Sequence, residues 1–218
     1  MSGKVLAREG RVTVRKFRRS DLQDRLEWPP YTDALFTHLN CDLSNFIERE
    51  KWIFARIMNS GRMYFAIEDE HGKFIGEISL RDIDADAKMG RLGIHLASNK
   101  LGRAYGREAL SALLSYYFLT MKWNAVFLDV AAYNHRALRL YERLNFQYLP
   151  PFWRRIVADE SVLTDPACAG IRQLLRRGPS GIEGFHHDMS LTRERYLQAR
   201  EASAAAVETS PPIHERQP

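Results

Sequence analysis

Cysteine is scarce in this chain: two in 218 residues, Cys41 and Cys168, with no Cys or His at ligand spacing beside either. That excludes a disulfide framework and a zinc site as organising devices. The one histidine pair, His186-His187, reads as surface residues, because neighbours in a strand point to opposite faces and chelate poorly; no metal is expected. Long apolar runs are missing too. The longest, near Ala112 to Leu119, contains Ser115 and is too short to span a bilayer, so no membrane partner is expected. Met1 to Arg11 carries Lys4, Arg8, Glu9 and Arg11 without an apolar run behind them. It reads as neither a secretory signal nor a transit peptide, which points to a cytoplasmic protein. Charge of one sign is also short: 32 basic against 27 acidic residues give a net +5. Without a continuous basic stripe or a docking motif, no nucleic-acid partner is expected.

With 45% hydrophobic residues, the chain can bury one substantial core, and one main domain is expected. Residues 1–10 read as an arm, 11–196 as the domain with 159–181 inserted in it, and 197–218 as a helix end and disordered tail. Val12 and Val14 alternate with polar neighbours as a first strand. Ser20-Asp21 opens a short helix stopped by Pro29-Pro30, and 31–43, without a clean period, reads as a loop or short helix over a pocket. A second helix spans about 44–58, with Asn59-Ser60-Gly61 as its stop. Strands over 63–68, 73–81 and 88–97 form an antiparallel meander, with 82–86 as an acidic link.

Beyond Ala97 the apolar period changes from two to that of a helix. Leu110, Leu113, Leu114 and Tyr117 place a helix over 104–121, apolar on a second side as well and so packed across a sheet. A strand over 125–132 follows, and strand-helix-strand implies a parallel pair. Asn134 opens a helix in which Ala137, Leu138, Tyr141 and Leu144 share a face while Arg136, Arg139 and Arg143 point away. Residues 146–157, interrupted by Pro150-Pro151, form a bulged or edge strand; 166–177 a helix in the insertion; 184–191 a last strand; and 192–207 a polar helix.

Two stretches carry chemistry. Gly102-Arg103-Ala104-Tyr105-Gly106-Arg107 runs from a loop into a helix, so unpaired backbone N–H groups are offered to an anion. Arg103 and Arg107 add charge. In the second, Asn134 and Tyr141 are seven residues apart, which returns them to one helix side about 10 Å apart along the axis. Taken singly, these are a glycine turn, an N-cap and a core tyrosine.

The order of elements, with "LGRAYGREAL" and "NHRALRLYERLNF", resembles the GNAT superfamily of N-acetyltransferases. "VTVRKFRRSDL" and "HHDMSLTRERY" look most like its ribosomal-protein-type N-terminal acetyltransferases. The resemblance implies an α/β (α+β) GNAT fold: a mixed, mostly antiparallel sheet of about seven strands, splayed between strands 4 and 5, with helices on both faces. It implies acetyl-CoA as cosubstrate, bound by Leu101, Gly102, Arg103, Ala104, Tyr105, Gly106 and Arg107, with Asn134 on the cofactor arm and Tyr141 facing the thioester sulfur. Leu96 and Ala97 would supply N–H groups to the oxyanion. The chain departs from the family at Leu101, Ala104 and Asn145; Ala104 is small, and Asn tolerates a left-handed backbone.

Tyr141 is the expected acid, through a hydrogen bond that strengthens as sulfur gains charge. Asp129, in an apolar strand where burial raises a carboxyl pKa, is the first candidate base, with Glu77 and His95 as alternatives. The carboxylate many members carry early in the fourth strand falls near Arg91 and is missing. The expectation is direct acetyl transfer to a primary amine, a protein N-terminus or a small molecule. A non-catalytic acyl-CoA-binding regulator is the alternative. The acceptor pocket is expected around 28–38, Glu77, Phe152 and Trp153, and edge strands after Phe146 allow a homodimer.

Overall fold

The computed structural model describes residues 4–58 and 61–208. The proposed helix stop at Asn59-Ser60 and the tail from 209 onward lie outside the described residues. The chain forms β1 (Val5–Glu9), β2 (Val12–Lys16), α1 (Asp21–Leu26), α2 (Phe46–Ile57), β3 (Met63–Glu68), β4 (Phe74–Asp84), β5 (Met89–Leu96) and α3 (Tyr105–Ser115). There follow β6 (Ala125–Ala131), α4 (His135–Arg143), β7 (Gln147–Tyr148), β8 (Phe152–Arg155), β9 (Leu175–Gly178), β10 (Gly181–Thr192) and α5 (Arg193–Glu208).

The strands make one mixed sheet in the order β1-β2-β3-β4-β5-β6-β10-β7, with β8 and β9 also on β10. The fold is the expected one, but with ten strands rather than about seven. The expected arm is one of the extra strands: Val5 to Glu9 pairs with β2. Among the described residues no strand pairs its outer edge, and it is half exposed, so it lacks the alternation that marks a buried strand. The turn at Gly10 has φ +53°, and a Cβ there would meet the Glu108 carboxylate at 2.8 Å.

The expected meander is present as β3, β4 and β5, antiparallel throughout. β4 runs on to Asp84 through a bulge between Arg81 and Asp84, with Asp82 at φ +51°, so part of the acidic link is strand. β5 and β6 are parallel and paired only over Met89–Arg91 with Ala125–Phe127. Beyond Arg91 they separate and leave a V-shaped gap.

One face of the sheet carries α3, whose Ala109, Leu110, Leu113 and Leu114 are buried against it; Tyr117, in the following turn, is buried too. The helix ends in a wide turn over Tyr116–Thr120, where Met121 N–H reaches Tyr116 C=O. The other face carries α1 and α2 around Trp52, Phe74 and Phe17. Arg15 stitches this side together: buried, it donates to both Asp21 oxygens at 2.9 and 2.7 Å and to Glu68 at 2.6 Å.

The segment 159–181 contains 3-10 turns over Glu160–Leu163 and Pro166–Leu174 and the hairpin strand β9 in place of the helix expected to 177. Its Val162, Cys168 and Leu175 pack with Leu35 and Phe36 in a separate small core, which props the loop 31–39. β10 therefore begins at Gly181, three residues earlier than expected.

Candidate functional site

A cleft of about 370 Å³ lies at the gap between β5 and β6. Its walls bring together Leu96, Leu101, Gly102, Ala104, Gly106, Arg107, Asn134 and Tyr141, all singled out from the sequence. The loop between β5 and α3 forms one lip. Gly102 and Ala104 have φ of +73° and +66°, so this backbone curls left-handed before α3. Ala104 takes a conformation that favours glycine. Arg107 and Glu108 N–H groups bond back to Ala104 C=O, leaving those of Tyr105 and Gly106 at the helix start without an intrahelical acceptor.

The lip is clamped from behind. Lys100 pairs with Asp69 at 2.8 Å, and the Tyr105 hydroxyl reaches Glu70 at 3.1 Å. Arg11 donates to Glu108 at 2.8 Å and to Arg103 C=O at 2.7 Å. The Tyr105 side chain thus belongs to the clamp, leaving only its backbone N–H toward the helix start, and the Arg103 side chain is not part of the cleft wall.

Basic residues dominate the mouth. Arg107, Arg136, Arg139 and Arg143 line the cleft, and among the described residues none of them has an ion-pair partner. The last three were expected to point away. At i, i+3 and i+7 they share a stripe beside Leu140, and that shared sign at one-face spacing was the available signal.

α4 brings the polar apex. The Asn134 side chain caps the helix, accepting from Ala137 N–H at 3.2 Å, which leaves its NH₂ group for the cleft. Tyr141 is buried against Phe146, and its hydroxyl has no hydrogen-bond partner among the described residues. Burial, and then the charge of Asp129, push its pKa up, so the phenol stays protonated.

On β5 the ladder decides which backbone groups are free. Ala97 N–H bonds to Ile75 C=O at 2.9 Å, so Ala97 is not an oxyanion donor, contrary to expectation. Alternation turns the Leu96 and Ile94 peptide groups to the opposite side, into the unpaired gap. Leu96 C=O there accepts the Tyr31 hydroxyl at 2.6 Å, and Leu96 N–H remains as donor.

Both candidate carboxylate bases are taken. Glu77 binds Arg56 through two bonds of 2.6 and 2.8 Å. Asp129 binds Arg81 and Arg154, with Arg91 at 3.4 Å. Arg91, at the position of the missing carboxylate, also pairs with Asp188 at 2.5 Å. Neither carboxylate lines the cleft.

His95 is the alternative that faces the cleft. It lies between Trp28 and Tyr31, and its Nε2 is shielded and, among the described residues, without a partner. Burial pushes its pKa down to about 4, so the ring is neutral near pH 7. Of the aromatic residues expected on the acceptor side, Tyr31 and Phe36 line the cleft, whereas Trp153 packs on Phe185 and under Arg176. His186, expected at the surface, is buried and stacks on Phe152.

A family model described as acetyltransferase (GNAT) domain matches residues 11–147. The spermidine N(1)-acetyltransferase of Vibrio cholerae serotype O1 is 26% identical over 102 residues, 47% of this chain. This chain spans 59% of that relative's length. A SPbeta prophage-derived uncharacterized N-acetyltransferase of Bacillus subtilis is 24% identical over 123 residues, covering 56% of this chain and 67% of that one. The crystal structure of spermidine N-acetyltransferase from Vibrio cholerae with CoA and spermine superimposes with a TM-score of 0.65 at 19% identity, over 86% of this chain and 98% of that one. At that identity the likeness speaks for the fold.

Proposed function

The chain belongs to the GNAT acetyltransferase family, and from that premise we propose that it moves the acetyl group of acetyl-CoA directly to a primary amine within a ternary complex. The observation that carries this is the set of unpartnered arginines, Arg107, Arg136, Arg139 and Arg143, around an anion-ready helix start and a buried free phenol. Four cations without carboxylates suit a ligand with several phosphates. The free N–H groups at Tyr105 and Gly106 suit its diphosphate. The unpaired peptide groups of Ile94 and Leu96, with Asn134, suit an amide-bearing arm laid along β5.

Acetyl-CoA supplies an activated thioester. The amine nitrogen bonds to the carbonyl carbon, the C–S bond breaks, and CoA leaves as a thiolate that takes its proton from water. Leu96 N–H faces the gap where the oxyanion would develop. Tyr141 holds a proton toward the sulfur; with its pKa raised, full transfer is uphill, and stabilisation comes from a hydrogen bond that strengthens in the transition state. His95, neutral, lines the cleft wall along which the amine approaches. The amine's surplus proton passes to water.

The test is CoA thiol release by the full chain over a panel of amines. Tyr141→Phe is expected to lower kcat about 100-fold with acetyl-CoA affinity held within about twofold. Unchanged turnover would refute the role, and cofactor binding with no thiol release for any amine would favour the non-catalytic reading.

On the same footing we place 11–196 as the catalytic domain, closest to the ribosomal-protein-type enzymes, and the protein in the cytoplasm. Exposed Tyr148 and Phe152 on β7 and β8 support a homodimer through that edge, to be read by light scattering.

A further inference from the structure

A recess of about 90 Å³ lies beside the cleft, with Tyr31 and His95 as a common wall. Tyr31 is pinned there: its hydroxyl donates to Leu96 C=O, and its backbone N–H and C=O are both held by the Asn40 side chain. At the recess stands Arg25, 9% exposed. Its guanidinium packs 4.6 Å over the Trp28 ring. Among the described residues it has neither a carboxylate nor a carbonyl partner, whereas buried Arg15 and half-buried Arg56 each grip a carboxylate through two bonds.

The guanidinium lines the recess with no carboxylate of its own, so its N–H groups are available there to an anionic ligand. The recess is too small for a long chain and has room for a group of a few heavy atoms. No carboxylate lines either cavity. A polyamine, with several ammonium groups, would find Arg25 and the arginines of the mouth and no counter-charge.

We propose that the acceptor is an amine that also carries a carboxylate, an amino-acid-like molecule, whose carboxylate is held by Arg25 while its amine passes Tyr31 to His95 and the cleft. This rests on the acetyltransferase reading. Arg25 then selects by charge, pairing with the carboxylate through two parallel N–H···O bonds.

The test uses amines that differ in one group: an amino acid, its carboxamide and its decarboxylated amine, beside spermidine, each with saturating acetyl-CoA. The best amino acid should exceed its two neutral-end analogues by about tenfold or more in kcat/KM. Arg25→Gln should erase that ratio, Arg25→Lys should keep part of it, and both should bind acetyl-CoA as the parent does. Spermidine used as well as the amino acid, or a ratio that survives Arg25→Gln, overturns the proposal. Calorimetric titration of the N-acetylated amino acid and its amide into the CoA-loaded chain reads the recess without turnover. Carboxylate-selective binding that is lost in Arg25→Gln, with no thiol release for any amine, keeps the anion site and sinks the transferase reading. Equal binding of acid and amide sinks the anion site whatever the turnover.

Discussion

Beneath β2, Arg15 is 1% exposed and saturates its guanidinium on Asp21 and Glu68; around the cleft, Arg107, Arg136, Arg139 and Arg143 hold no carboxylate among the described residues. The first region joins β2, α1 and β3 and leaves nothing for a ligand to do. Among the described residues, the second leaves cations, two helix-start N–H groups and the Tyr141 hydroxyl without partners. Satisfied polar groups hold a fold together. Unsatisfied ones gathered on one cavity mark where another molecule completes the arrangement.

The contrast can be broken most severely at the satisfied end. Asp21→Ala leaves Arg15 buried with one of its two carboxylates gone, and a loss of about 3–5 kcal/mol in urea unfolding is expected. A loss below about 1 kcal/mol would mean that Glu68 alone suffices. At the unsatisfied end, His95 gives a pH signature. Its folded pKa, about 4, lies below the ordinary 6.5. As pH falls from 6.5 toward 4, the unfolded chain takes the proton first. Stability therefore drops across that window, by up to about 3 kcal/mol, and is untouched above it. His95→Gln should flatten that part of the stability profile while other acid transitions stay.

Smaller effects sharpen the picture at the mouth. Arg139→Ala should weaken acetyl-CoA binding about fivefold and make it less salt-dependent, with folding stability within about 0.5 kcal/mol. A larger stability loss would show that this arginine supports the fold. Ala104→Gly should change least. It removes a left-handed alanine at φ +66° and should raise stability by up to about 1 kcal/mol, net of the added freedom of the unfolded chain. Tighter acetyl-CoA binding in this variant would show that the lip had been strained against its ligand.

How much could be read without coordinates differs by region. The β3-β4-β5 meander and α3 were legible because their apolar positions repeat with periods of two and of a helix turn. Gly102, Asn134 and Tyr141 were legible because a glycine loop, an N-cap and a one-face spacing are local patterns, and the cleft does unite them. β1 was not, since a half-exposed edge strand with Arg8 and Glu9 carries little alternation. The ion pairs of Glu77 and Asp129 were hidden for a different reason: Arg56 lies 21 residues from Glu77, and Arg81 and Arg154 lie 48 and 25 from Asp129. No window of local sequence contains such a pair.

The chain's own order of residues thus determined most of the helices and strands, the anion-ready lip and the pairing of Asn134 with Tyr141 on one helix, because periodicity and backbone preference act over a few neighbouring residues. Which charges neutralise one another, which arginines stay free for phosphates, and that Arg25 stands buried and alone beside His95 were set by packing, because these depend on contacts between segments brought together by the sheet.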